Sequence, residues 1–177
     1  MREIARRAGV SHAAPAHHFV DKAGIFTAIA TEGFRLAVEE IGPVASGADG
    51  FLRGGEAYVA FALTHPGHFE VMFRPGLYHG DDPDLVAARD AAFAVLHGSA
   101  LAQQPGVAAD SAEALGLVLA GWSLSHGFAT LWLTANLADR LGPASDDVAT
   151  TLLRGMAELG RLAERRLAAG PDGGAPR

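Results

Sequence analysis

The 177-residue chain has no cysteine, and this absence excludes disulfide frameworks, cysteine-bound zinc and thiol nucleophiles. It also lacks a basic segment followed by an apolar run at its start, so secretion is not expected and a cytoplasmic protein is predicted. Sustained alternation of apolar and polar residues is missing as well, which argues against half-buried strands. Together these absences favour a soluble helical protein.

Motifs that carry catalysis or cofactor binding are missing too. The chain has no His-Glu-x-x-His zinc motif, no Gly-x-Ser-x-Gly nucleophile turn and no phosphate loop, so we expect no catalytic centre and no cofactor. The aspartates of residues 81–84 could supply paired carboxylates, but in a Pro/Gly-rich loop they are expected to form turns and caps. His12, His17 and His18 do not converge on one helix face, so no metal site is expected. The protein is not predicted to be an enzyme.

Apolar residues at helical spacing run along nearly the whole chain. In the third predicted helix, for example, Phe26, Ile29 and Phe34 lie on one face. Glycine and proline mark the ends of successive segments. The predicted fold is all-α, with helices over residues 2–8, 12–18, 21–41, 50–64, 68–74, 84–104, 110–138 and 145–168.

Residues 2–26 form the most specific local pattern, REIARRAGVSHAAPAHHFVDKAGIF. The first short helix ends before Gly9, which suits the left-handed turn that closes a helix. Ser11 is predicted to cap a second short helix, and Asp21 to cap a longer third helix with Lys22 in its first turn. This order predicts a helix-turn-helix whose second short helix lies in the major groove of DNA.

Charge is distributed unevenly between the N-terminal segment that holds this pattern, called the head below, and the rest of the chain. Residues 1–22 carry four basic and two acidic side chains, a balance of +2, whereas the remaining 155 residues carry 10 basic and 18 acidic ones, a balance of −8. A basic head suits DNA contact, because neutralised phosphates supply most non-specific affinity. His12 and His17 can reach base edges or phosphates, and the small side chains of Ala13 and Ala14 let the backbone approach the groove. A balance of +2 over so few residues could also be chance.

Residues 114–138 hold no charged side chain over 25 positions, a length that would span a membrane. We expect no membrane span, because polar residues including His126 interrupt the run and only Arg140 could anchor its end. A helix that is apolar nearly all round is better explained by burial against both its own core and a partner chain. The helices near 110–138 and 145–168 are therefore predicted to pair with the same two helices of a second copy, as a homodimer.

The predicted second domain, residues 45–169 and called the body below, also holds aromatic, methionine and histidine side chains on four predicted helices. We expect them to line a pocket for a small apolar or amphipathic ligand, since such pockets form between the helices of bundles. These residues are Tyr58, Phe61, Phe69, Met72, Phe73, Phe93, Trp122 and His126. The same residues could simply form the core, and His126 could bind either a ligand or a buried carbonyl. The expected organisation is a DNA-binding head with its connecting helix (1–44), a ligand-binding and dimerisation domain (45–169) and a disordered tail (170–177).

Residues 2–26 resemble the DNA-binding segment of the TetR family of one-component transcriptional regulators. The resemblance lies in REIARRAGVS, in the small-residue second helix, in His18-Phe19 and in Lys22. The family places one further helix before the REIA helix, so the first helix of the DNA-binding domain is expected to be missing from this chain or to lie upstream of Met1. The family usually has a phosphate-contacting tyrosine at the position that Ala16 occupies in this chain, so one expected contact with DNA is absent.

A second resemblance lies far downstream. Trp122, His126 and Gly127 in GWSLSHGFATLWL are similar to the Trp/His-Gly signature of one TetR subclass, and HPGHFEVMFRP is similar to the segment that precedes it there. The resemblance implies a homodimeric repressor that a small molecule releases from a palindromic double-stranded operator. The expected DNA contacts are Ser11, His12, Ala13, Ala14, His17 and Lys22. The alternative is a module that dimerises or sequesters ligand without binding DNA, as an N-terminal truncation would leave.

Overall fold

The computed structural model describes residues 2–11, 13–47, 49–135, 137 and 148–168. Over these residues the chain forms eight α-helices and no strand, which confirms the all-α prediction. The helices are α1 (Arg2–Arg7), α2 (Ala14–Phe19), α3 (Lys22–Ile41), α4 (Gly50–Thr64), α5 (Pro66–Met72), α6 (Pro83–Leu101), α7 (Ala112–Thr134) and α8 (Val148–Ala168), with a 3-10 turn at Pro75–Leu77.

Side-chain caps fix where three of the longer helices begin. The Asp21 carboxylate accepts a hydrogen bond from the Gly24 N–H at 2.7 Å, as the sequence predicted for α3. Asp82 caps α6 in the same way, and Ser111 caps α7. Each cap satisfies an N–H group that has no partner within the first turn of its helix.

The predicted cap of α2 is wrong. This helix begins at Ala14, and Ala13 precedes it without a side-chain cap, so Ser11 does not have that role. Pro15 lies in the first turn, where its missing N–H costs nothing. Proline has the same effect on α5, which begins at Pro66 rather than at the predicted residue 68.

Several other predictions fall outside the described residues. These are the position of His12, the link between the predicted helices 110–138 and 145–168, and the tail at 170–177. The described part of α7 ends at Thr134 rather than near residue 138.

Helix α3 is central to the fold because it runs from the head into the core of the body. It packs against α5, α6 and α4 in turn, while α4 packs against α7. Phe61 and Leu85 are 1% and 0% exposed. Burial of one such side chain contributes roughly 1.5–3 kcal/mol. The same helix therefore joins the predicted helix-turn-helix at one end to the packed interior at the other.

Helix α7 is long and apolar enough to cross a membrane by length and composition alone. One face, with Val118, Gly121, Ser125 and Ala129 at helical spacing, is buried in the bundle, where α7 packs on α4 and α6. Its other face leaves Leu115, Leu119, Leu131 and Leu133 exposed. The helix is thus covered on one side by its own chain and open on the other.

Candidate ligand cavity and DNA-binding head

A cavity of about 470 Å³ lies among α3, α4, α6 and α7. Its size falls within the range of about 300–1,000 Å³ that small-molecule sites occupy. The wall is mostly apolar and rich in aromatic rings. Five of the eight residues predicted to bind a ligand lie in this wall: Tyr58, Met72, Phe73, Phe93 and Trp122.

The other three predicted residues are not in the cavity wall. Phe61 is 1% exposed and belongs to the core. Phe69 and His126 form a layer behind the wall, where the His126 ring lies edge-on to Phe73 with centroids 4.5 Å apart. The Phe69 ring lies 5.1 Å from His126 and 5.2 Å from Phe73. This packing fixes the orientation of the Phe73 ring that faces the cavity.

The Tyr58 hydroxyl joins Trp122 to His126 through hydrogen bonds. The indole N–H of Trp122 donates to the Tyr58 oxygen at 3.4 Å, and that oxygen lies 2.8 Å from Nδ1 of His126. Because the indole can only donate, the Tyr58 oxygen is its acceptor, which leaves the tyrosine proton for Nδ1. The Trp122 N–H, the Tyr58 hydroxyl and Nδ1 of His126 are then all hydrogen-bonded within this group.

Burial favours the neutral form of both titratable groups in this chain of hydrogen bonds. It raises the pKa of Tyr58 well above the ordinary value, and it lowers the pKa of His126 below 6.5. A neutral imidazole whose Nδ1 accepts a proton from Tyr58 agrees with this direction. The arrangement thus presents aromatic faces, rather than charge, to the cavity.

Sequence reasoning missed several residues of the wall. Phe34 stood out only as a member of the apolar face of α3, and Tyr78 lies in the loop after α5, where no periodic pattern marks it. Phe51 packs so closely on Gly121 that a Cβ at that position would overlap its ring. Alternation between small and large residues on α4 and α7 could have indicated this contact.

Charged side chains reach the cavity at a few points. Glu56 of α4 and the neighbouring residues Arg89 and Asp90 of α6 contribute to its wall. Arg89 and Asp90 are exposed, so water screens them. Glu56 is half-buried, so the wall is mostly apolar with one partly buried carboxylate among its residues.

The head presents most of its predicted DNA contacts to solvent. Ser11, Ala13, His17 and Lys22 are exposed, and Ala14 is half-buried. The Lys22 ammonium lies 5.4 Å from the centre of the Phe26 ring, which orients this cation at the start of α3.

Within α1 a carboxylate offsets part of the basic charge. Glu3 accepts hydrogen bonds from Arg6 at 2.5 Å and from Arg7 at 3.0 Å. The two guanidinium groups lower the pKa of Glu3. These ion pairs are exposed, so they contribute little to stability.

The three aspartates considered for acid–base chemistry do not form a catalytic pair. Asp82 caps α6 and Asp84 lies 3.4 Å from Arg35, whereas Asp81 is exposed in the preceding loop. Across the described part of the chain, no group of three or more His, Asp or Glu side chains is placed to hold a metal ion.

The family model of the tetracycline-repressor-like C-terminal domain matches residues 51–156, which is more than half of the chain. The chain belongs to the TetR family. This match covers the part that forms most of the cavity wall. No curated protein matches the chain.

A solved structure of a protein with unknown function from Rhodococcus sp. RHA1 is similar to this TetR-family protein. The two chains are 29% identical, and the alignment covers 87% of this chain and 82% of the other with a TM-score of 0.66. TetR-like proteins are in general regulators that bind DNA and small ligands and dimerise. The family match therefore supports membership in a regulator family, and it covers residues 51–156 but not the head.

Proposed function

We propose that this TetR-family protein is a homodimeric transcriptional repressor that a small apolar or amphipathic molecule releases from its operator. The observation that carries the proposal is the aromatic cavity of about 470 Å³ in a chain whose head exposes four of its predicted DNA contacts, Ser11, Ala13, His17 and Lys22. A ligand can change DNA affinity only by binding the released state more tightly than the DNA-bound state.

Two exposed apolar surfaces support the dimer. Leu115, Leu119 and Leu131 are about half exposed on the outer face of α7, and Leu159 and Leu162 are half exposed on α8. Such surfaces on neighbouring helices mark interfaces in soluble proteins. Burying them against the same helices of a second copy forms a four-helix interface and holds two heads at a fixed separation.

The two heads of such a dimer give a direct reason for ligand sensitivity. Their recognition helices must meet half-sites about one helical turn of DNA, or a multiple of it, apart. A ligand that changes their separation by a few ångströms therefore weakens operator binding without touching DNA.

The cavity is tested by titrating the protein with the apolar fluorophore N-phenyl-1-naphthylamine. We expect fluorescence enhancement in the natural protein and its loss in Ala92→Trp, which places an indole where a half-buried alanine lines the cavity. Ala91→Trp is the matched control, because Ala91 is exposed on the same helix and lies outside the wall. Equal binding by both variants would contradict the cavity as the binding site.

The division between head and cavity is tested with three substitutions. His17→Ala and Lys22→Ala are expected to weaken DNA binding, whereas Phe73→Ala is expected to change the response to the fluorophore and leave DNA binding intact. Equal loss of both activities in all three variants would contradict this division. A folded dimer that binds the fluorophore but no DNA would indicate ligand sequestration instead.

A further inference from the structure

The segment that follows α5 touches both the cavity and the head. Phe73, Pro75 and Tyr78 of this segment line the cavity, and the Tyr78 hydroxyl donates to the Met72 carbonyl at 2.9 Å. The very next residue, His79, reaches the opposite way, toward the beginning of α3. Seven residues of chain, 73–79, thus connect the two sites.

His79 contacts α3 at two points. Its backbone N–H donates to the Thr27 hydroxyl oxygen at 3.0 Å, and its Nε2 lies 3.2 Å from Oδ1 of Asp21. The Thr27 hydroxyl in turn donates its proton to the Ala23 carbonyl at 2.9 Å, so it can only act as an acceptor toward His79. The backbone contact fixes the segment on α3, and the imidazole contact adds a second tie at the end of that helix.

Asp21 is separated from the second helix of the helix-turn-helix by one residue. The Asp21 N–H donates to the Phe19 carbonyl at 2.6 Å across Val20, whose φ of 62° and ψ of −57° form a γ-turn. This turn is rare and strained for a β-branched residue. On the other side, Gly24 packs so closely that a Cβ there would overlap the Phe19 carbonyl oxygen. These two close contacts hold the start of α3 tightly against the end of α2. We therefore expect a displacement of Asp21 to move α2 as well.

We propose that the His79–Asp21 contact is the coupling point through which occupancy of the cavity repositions the recognition helix α2. This inference rests on the proposed function and names the route within it. A ligand that contacts Phe73 or Tyr78 shifts the segment that carries His79, and the contact transfers the shift to the cap of α3. His79 acts as a positioning residue and contacts neither DNA nor ligand.

The strength of the contact suits this task. Both side chains are 52% exposed. An exposed pair of this kind contributes little to the stability of the fold. Such a weak contact can bias the position of α2 while adding little to overall stability. Variants that remove the His79–Asp21 contact are therefore expected to fold.

A second histidine–carboxylate contact to α3 offers a matched control. His68 of α5 lies 3.3 Å from Glu32 of α3, which is the same chemistry at the middle of the helix rather than at its start. His68→Asn therefore removes a comparable contact that the proposal gives no role in coupling. Asp21→Asn is a further useful variant, because asparagine keeps the helix cap and loses the charge.

Hydrogen exchange measured by mass spectrometry on the full chain tests the proposal first without ligand. In His79→Asn and Asp21→Asn, amides of residues 13–24 are expected to exchange about two- to five-fold faster, the factor that loss of a weak exposed contact produces. In His68→Asn they are expected to keep the natural rate. Unchanged exchange in His79→Asn would overturn the proposal whether or not any ligand binds the cavity.

The second arm adds N-phenyl-1-naphthylamine at saturation. In the natural protein and in His68→Asn, binding is expected to change exchange over residues 13–24; in His79→Asn this change is expected to be lost while the fluorophore still binds. The same change in His79→Asn, or none in the natural protein despite binding, would overturn the coupling route. Failure of the fluorophore to bind would contradict the proposed cavity function alone, and the first arm would still decide the contact.

Discussion

The Tyr58 hydroxyl offers the sharpest test of how the cavity wall is built. Tyr58→Phe removes one oxygen atom and leaves the aromatic ring in place. Two polar groups then lose their partner, Nδ1 of His126 at 2.8 Å and the Trp122 N–H at 3.4 Å. We expect the variant to fold and to lose stability, because buried polar groups without partners are costly.

The magnitude follows from the geometry. A buried group left without its hydrogen bond costs about 1–3 kcal/mol. The contact with Trp122 is long and Tyr58 borders a cavity that can admit water, so the lower part of this range applies. We expect the free energy of unfolding to fall by about 1–2 kcal/mol. In a chain of this size that lowers the melting temperature by roughly 2–8 °C.

Urea unfolding followed by far-ultraviolet circular dichroism at pH 7.5 measures this loss, at one fixed protein concentration because the proposed dimer makes stability concentration-dependent. A double-mutant cycle with His126→Phe assigns it to the hydrogen bond. The two substitutions are expected to couple by at least about 0.5 kcal/mol, since either one removes the same interaction. A stability loss within about 0.3 kcal/mol of zero, or strictly additive effects, would refute the hydrogen-bonded arrangement.

Three further predictions follow from individual residues. Burial lowers the pKa of His126 in the folded state, so the unfolded chain takes up this proton first as the pH falls below 6.5, and the free energy of unfolding declines between pH 6.5 and the lower folded pKa. His126→Phe is expected to lack this part of the decline, and parallel curves of unfolding free energy against pH for the two proteins would contradict the prediction. Gly24→Ala is expected to displace the head, because the new Cβ overlaps the Phe19 carbonyl, and so to weaken DNA binding and the protection of α2 from hydrogen exchange. Gly98→Ala is the control, since the new Cβ there meets open space, and equal behaviour of the two variants would count against the close approach. Leu119→Glu, at a half-exposed position of α7, is expected to convert the dimer to monomers in sedimentation velocity, and an unchanged dimer would place the interface elsewhere.

Local features of the fold could be predicted from the sequence where they depend on neighbouring residues. The cap of α3 by Asp21 was predicted correctly because the interaction spans three residues of one turn. The start of α2 was predicted wrongly, because Ser11 has the right chemistry for a cap, whereas the helix begins at Ala14 with Pro15 in its first turn. The pattern of apolar residues gave the helices themselves, since periodicity is set by burial along each segment.

The cavity could be predicted by residue type but not by position. Tyr58 and Phe61 lie three residues apart on α4, yet Tyr58 faces the cavity and Phe61 the core. That difference depends on how α4 packs against its neighbours, which no single segment encodes. The hydrogen bond between Tyr58 and His126 joins residues 68 positions apart, so it also depends on the tertiary fold.

The central claim, that this TetR-family protein reads DNA through its head and does so as a dimer, is tested most directly by selection from random duplex DNA at low salt. The 177-residue chain is incubated with the pool, and the retained fragments are sequenced. The account predicts enrichment of a palindrome whose half-sites lie about one helical turn, or a multiple of it, apart. Retained fragments with no shared sequence, or with a single half-site, would contradict it.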